Sequence, residues 1–110
     1  MRLRLAMMVS AAALAAASLP AAAQAPAGNA EAAKNKISMC IGCHGIAAYK
    51  TAYPDVYHVP KIGGQTPQYI VNARKAYKSG ERGHPSMKGI AASLTEQDMA
   101  DLAAYYGAQK

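Results

Sequence analysis

Cys40-Ile41-Gly42-Cys43-His44 sets the only two cysteines of a 110-residue chain three positions apart and follows the second with a histidine. Two thiols at that spacing lie along one turn of helix, where each can add across a different vinyl group of the same porphyrin. The adjacent histidine then reaches the iron from the proximal side, so the pattern reads as a covalent haem attachment site. Two other chemistries compete for the pair. A thioredoxin-like dithiol wants a βαβ setting, and no alternating β runs flank this one. A structural zinc site needs four ligands with a second paired cluster downstream, whereas His58 and His84 are single and widely separated. The expected cofactor is therefore one haem c, bound through Cys40 and Cys43 with His44 on the metal.

Iron held by one histidine has a sixth position, and what fills it separates an electron carrier from a catalyst or gas sensor. Met39, Met87, Met99, His58 and His84 are the candidates. Met39 adjoins Cys40 and cannot cross the haem plane, and Met99 belongs to an apolar stripe. Met87 stands in a Gly- and Pro-rich stretch 43 residues beyond His44, where a thioether can descend on the distal face. Loop methionines commonly serve as apolar filler, but the haem motif favours Met87 as a metal ligand. His84 is the alternative, which would make a bis-histidine centre.

The elements that must position these residues are helices. Asn29 is an N-cap for a first helix over about Ala30–Met39 that delivers the Cys40–His44 turn, after which Gly45 is expected to turn left-handed. Residues 46–65 carry Tyr49, Tyr53, Tyr57, Pro54, Pro60 and Gly63-Gly64 with no sustained period, and read as an irregular loop ordered by the cofactor. Thr66-Pro67 opens a second helix with Ile70, Ala73 and Tyr77 on one face, Arg74, Lys75 and Lys78 toward solvent, and Gly80 as its stop. Residues 80–92 read as a strap. Thr95 and Asp98 form a capping box before a last helix whose Met99, Leu102, Ala103 and Tyr106 make a core stripe. The fold class is all-α, with about three main helices and long loops around one haem.

Arg2, Arg4, the apolar run Leu5–Leu19 and Ala21-Ala22-Ala23 read as a secretory signal peptide over residues 1–23, which leaves one 87-residue domain over 24–110. No twin-arginine pair is present, so the chain is expected to cross unfolded and to receive its cofactor in the periplasm. A Cys-x-x-Cys disulfide is too short and strained a ring to staple such a domain. So small a chain buries little core of its own, and a large apolar cofactor supplies the missing interior; the haem-free chain is expected to be largely disordered. Without Arg2 and Arg4 the balance is ten Lys and Arg against six Asp and Glu, a formal +4 that is too mild for nucleic acid and suits acidic protein surfaces.

In this order the motifs resemble a class I c-type cytochrome of the small cytochrome c4/c553 branch. Cys40-Ile41-Gly42-Cys43-His44-Gly45 is similar to its attachment motif, Pro60-Lys61-Ile62-Gly63-Gly64-Gln65 to its proline loop, Met87-Lys88-Gly89-Ile90 to its methionine loop and Leu102-Ala103-Ala104-Tyr105-Tyr106 to its terminal helix. The resemblance implies that Met87 is the sixth ligand and that the Pro60 carbonyl accepts from the outer ring nitrogen of His44. Two departures are a longer segment between His44 and Pro60 and Ala33 where relatives often carry glycine at the crossing of first and last helices.

These residues and the resemblance together imply an electron-transfer protein of the periplasm, not an enzyme, that exchanges electrons with partners such as a quinol-cytochrome c reductase, a dehydrogenase or a terminal oxidase. It is expected to have at most peripheral membrane contact. The competing reading is a haem c subunit dedicated to one dehydrogenase or oxidase complex. Mass spectrometry of protein from its native host should find the mature N-terminus at or next to Gln24; a retained Met1 in the membrane fraction would contradict the leader assignment.

Overall fold

Asn29 begins the first helix by local chemistry alone. Its Oδ1 accepts the backbone N–H groups of Glu31 and Ala32 at 3.0 and 3.2 Å, satisfying two donors that a helix start leaves without partners. The computed structural model describes residues 25–53 and 56–110, so the leader assigned to residues 1–23 lies outside the described residues. Helix α1 spans only Ala30–Ala33, and α2 spans Ser38–His44. The single helix expected over Ala30–Met39 is broken because Lys34, Asn35 and Lys36 bond three residues back, to Glu31, Ala32 and Ala33. Within that tighter winding Lys36 pairs with Asp98 and Asp101, and α2 begins at Ser38.

Residues 46–65 are also more ordered than expected. Strand β1 (Lys50–Thr51) pairs antiparallel with β2 (Tyr57–His58), Lys50 opposite His58 and Thr51 opposite Tyr57. The Val59 N–H extends the ladder to the Tyr49 carbonyl at 2.9 Å. Threonine and tyrosine suit a pleated pair, but two residues a side are too few to leave a period in the sequence.

Helix α3 (Pro67–Ser79) starts and stops as its residues dictate. Thr66 caps the Tyr69 N–H, Pro67 holds the first position, and Gly80 ends the helix in the left-handed region at φ 89°. The strap expected over 80–92 is instead helix α4 (Pro85–Ala92), so Met87 sits in a first helical turn and not in a loop. Its start follows the same rule with an unusual cap: His84 Nδ1 accepts the Met87 N–H at 3.3 Å, ahead of Pro85.

Helix α5 (Glu96–Gly107) opens on the expected box, with the Thr95 N–H donating to Asp98 at 2.9 Å and the Asp98 N–H to Thr95 Oγ1 at 3.1 Å. Met99, Leu102, Ala103 and Tyr106 are all buried, and α1 and α3 pack on this helix. The core gathers Ala33, Cys40, Ile70, Leu94, Met99, Leu102, Ala103 and Tyr106. Ala33 is fully buried at the crossing with α5, so a methyl group fits there. Among the described residues no helix is long and apolar enough to cross a membrane.

A buried carboxylate ties the first and last helices together. Asp101, 3% exposed, accepts the Asn29 N–H and the Gln97 side-chain amide at 2.8 Å each, and the Lys36 ammonium at 3.4 Å. Lys36, followed by the Thr95 N–H, holds Asp98 down to about 2, and the Asn29 N–H, followed by Gln97, holds Asp101 below the ordinary carboxylate range. Both folded values lie below the unfolded one. The stabilisation is therefore complete above about pH 4 and drains away as pH falls through the folded values. Thermal melts between about pH 5 and pH 2 should show that acid-side loss. At neutral pH Asp101→Ala should cost about 1–3 kcal/mol, because it strands the Asn29 N–H and the Lys36 charge.

Candidate haem site

Cys40 and Cys43 point differently from one short helix. Cys40 is buried in the core beside α3 and α5, Cys43 is exposed, and no disulfide joins them. Burial pushes the Cys40 thiol above its usual range, opposed first by the charge of Arg74. Gly45 ends α2 at φ −87°, ψ −4°, in the right-handed region, so the left-handed turn expected there is absent. The glycine is needed for a different reason: a Cβ on it would stand 2.6 Å from the Ile41 carbonyl oxygen. Three residues on, Ala48 takes a positive φ of 55°.

His44, half-buried at the end of α2, makes the decisive contact of the site. Its Nδ1 lies 2.7 Å from the Pro60 carbonyl oxygen. A carbonyl only accepts, so Nδ1 carries a proton, and in the neutral ring the lone pair is on Nε2. The Pro60 loop is itself anchored, because the Gly64 N–H donates to the Tyr106 carbonyl at 2.9 Å, with Gly64 at φ 86° where glycine is at ease.

An open cleft with about 810 Å³ of atom-free space, its mouth included, lies between α2, the Pro60 loop, α3 and α4. Met39, Cys40 and His44 form one wall, Pro60, Lys61, Ile62 and Gln65 another, and Tyr69, Ile70, Ala73, Arg74, Tyr77, Met87 and Ile90 the third. Of the four predicted site residues, the fold brings Cys40, His44 and Met87 to this one space, while Cys43 lies outside its lining. A wide, largely apolar slot lined by a buried thiol, an imidazole and a thioether has the shape and chemistry to take a haem.

Arg74 is expected toward solvent from the sequence, and the structure corrects that. The helix turns it inward, 6% exposed, with Nη1 donating to the Ile70 carbonyl at 3.1 Å. Burial pulls the guanidinium below its usual range, and the Cys40 and Tyr106 side chains oppose that. The Tyr106 hydroxyl is buried without a conventional hydrogen-bond partner among the described residues, and burial lifts its phenol well above the ordinary value. The signal was present in the spacing: Ile70, Ala73, Arg74 and Tyr77 fall at i, i+3, i+4 and i+7, a full core-facing stripe. Arg82 stays exposed over the Tyr77 ring, 4.8 Å from its centroid, and its guanidinium is 3.5 Å from the Tyr69 hydroxyl. His58 is exposed in β2, whereas His84 is half-buried against Tyr57 and Tyr77.

The chain matches the cytochrome c family profile over residues 26–106. It is 38% identical over 87 residues to cytochrome c-554(548) of Halomonas halodenitrificans, a match that covers 76% of this chain and the whole of that relative. Cytochrome c4 of Pseudomonas aeruginosa is 36% identical over 84 residues, and cytochrome c-552 of Acidithiobacillus ferridurans 36% over 94. The chain spans about two fifths of the length of each of these two.

His84→Ala removes the cap from the turn that carries Met87. It should lower thermal stability by about 1 kcal/mol, and His84→Asn, which offers a shorter acceptor, should recover most of the loss.

Proposed function

The chain belongs to the cytochrome c family, on its c4 branch, and from that premise we propose that it is a soluble periplasmic electron carrier with His44 and Met87 as axial ligands and Cys40 and Cys43 as the two thioether attachments. The family carries covalently bound haem c and transfers electrons. When bound, that group supplies a one-electron couple at iron. The chain's own residues determine what is done with it.

The observation that carries the reading is the His44–Pro60 bond. It commits the Nδ1 proton to a backbone acceptor, orients the ring and leaves Nε2 as the donor, and such partners raise the basicity of a ligand imidazole. Met87 enters the same cleft from α4. A thioether is a soft ligand that favours the reduced metal, so this pair sets a higher potential than two histidines would. With both positions taken, no substrate reaches the metal. The apolar walls, Ile62, Ile70, Ala73 and Ile90 among them, exclude water and push in the same direction.

Lys61 on the rim of the cleft and Lys88 beside Met87 are exposed. Positive charge at a cleft mouth steers acidic partners into brief encounters, as suits exchange with a quinol-cytochrome c reductase, a dehydrogenase or a terminal oxidase.

Two measurements test this. Haem staining after denaturing electrophoresis should follow the polypeptide, and replacing Cys40 and Cys43 together by alanine should leave no stained protein. In the oxidised wild type, thioether-to-iron coordination should give its weak near-infrared charge-transfer band. Met87→Ala should abolish the band, lower the midpoint potential and open the metal to small ligands, while Met99→Leu, a core swap costing less than about 1.5 kcal/mol, should change none of these. A response to His84→Ala in place of Met87→Ala would assign the ligand to His84.

A further inference from the structure

The turn that carries Met87 is held from outside the cleft. His84 Nδ1 accepts the Met87 N–H at 3.3 Å, so the start of α4 is tied to the position of one imidazole ring. That ring lies between two tyrosines. Tyr77 of α3 meets it edge-on, with centroids 6.5 Å apart and planes at 83°, and Tyr57 of β2 lies nearer, at 4.9 Å and 46°. Aromatic rings at such separations attract one another beyond the area they bury, because the electron-poor edge of one ring faces the electron-rich face of the next.

The two tyrosines differ in what they connect. Tyr77 is seven residues ahead of His84 and belongs to the helix on which α4 already packs. Tyr57 comes from the segment between His44 and Pro60, three residues before the carbonyl that orients His44. Its backbone is fixed there: the Tyr57 N–H donates to Thr51 Oγ1 at 3.3 Å, Tyr57 pairs with Thr51 in the ladder, and the Val59 N–H closes on the Tyr49 carbonyl at 2.9 Å. Tyr57 is 43% exposed and stands outside the buried cluster, so its ring adds little to the core. Neither Tyr57 nor His84 lines the cleft; their contact is made beside it and not through it.

We propose that Tyr57 is a positioning residue for Met87: by stacking on the His84 cap it ties the first turn of α4 to the loop that orients His44, and so slows the departure of the Met87 thioether from the metal. The inference rests on the reading of Met87 as an axial ligand. Once the thioether leaves, a small neutral ligand can take its place, one sulfur–metal bond giving way to one nitrogen–metal bond with no change of oxidation state. Excess imidazole added to the oxidised holoprotein therefore enters only as fast as the Met87 turn opens. The Met87 amide reports the same turn without any added ligand, because it exchanges with solvent when its bond to the His84 ring is broken.

The test compares the holoprotein with Tyr57→Val, which suits the strand but has no ring, and Tyr57→Phe, which keeps the ring. An aromatic pair is worth about two- to tenfold in an equilibrium. Tyr57→Val should raise the saturating rate of imidazole entry, and the hydrogen-exchange rate of the Met87 amide in the reduced protein, by about that factor, and Tyr57→Phe should restore both. His84→Asn, which keeps an acceptor at the cap but removes the ring from the other side of the pair, should raise both rates similarly, and adding Tyr57→Val to it should change nothing more. Asp101→Ala, which weakens the tie between α1 and α5, should lower the melting temperature and leave both rates as they are. Unchanged rates in Tyr57→Val, no recovery in Tyr57→Phe, a full additional effect in the double variant or an equal rise in Asp101→Ala would each overturn the proposal. Loss of haem from both Tyr57→Val and His84→Asn would overturn it too, since the rings would then be needed to build the site. The near-infrared band separates the two claims: its absence from the wild type refutes Met87 ligation, whereas its presence there leaves the two rates to decide the role of Tyr57.

Discussion

A carbonyl oxygen can accept a proton donor and offers none, and this one-sidedness at Pro60 governs the site. It dictates which nitrogen of His44 is protonated and therefore which is free. The bond spans 16 residues of chain, so its geometry is only as good as the supports of the intervening loop. The short β1–β2 ladder closes that loop on one side, and the Gly64 bond to the Tyr106 carbonyl closes it on the other. The orientation of one imidazole thus depends on the last helix.

Helix α5 carries more than this loop. Residues Met99, Ala100, Asp101, Leu102 and Ala103 are buried in succession, so the helix is covered nearly all round and not along one stripe. Its small residues allow close approach. Asp101 takes the N-terminus of α1 and the Lys36 turn, Tyr106 takes the Pro60 loop, and Lys78 of α3 donates to the Leu94 carbonyl at 2.6 Å just ahead of it. Burial of Met99 and Leu102 is worth about 1.5–3 kcal/mol each, which makes this helix the element against which the others are located.

Chemistry that acts over three or four residues was legible in the sequence. Asn29, Thr66-Pro67, Gly80 and the Thr95–Asp98 box all occupy the caps assigned to them, because a cap is decided by its own side chain and the nearest N–H groups. The attachment motif and the core stripe of α5 were legible for the same reason. The break after Ala33 was not, since it answers to two carboxylates some sixty residues away. Helix α4 was hidden by Gly83, Pro85 and Gly89, and the cap that starts it is a histidine, a residue whose usual roles lie elsewhere. Charge misled at Arg74: its position fitted the buried face, but a guanidinium is normally assigned to solvent.

The core and the cleft are not separate regions. Cys40 and Ile70 belong to the buried cluster and also line the cleft, and Tyr106 packs in that cluster while its carbonyl holds the loop that orients His44. Whatever fills the cleft is therefore in contact with residues that α2, α3 and α5 use to hold one another. Binding there adds its free energy to folding, and in a chain this short that contribution is a large part of the whole. The same coupling constrains electron transfer. A wall that must pack as core cannot shift freely when the charge inside the cleft changes, so the groups that line it, the His44 ring held by Pro60 and the Arg74 guanidinium held by Ile70, meet such a change with little rearrangement.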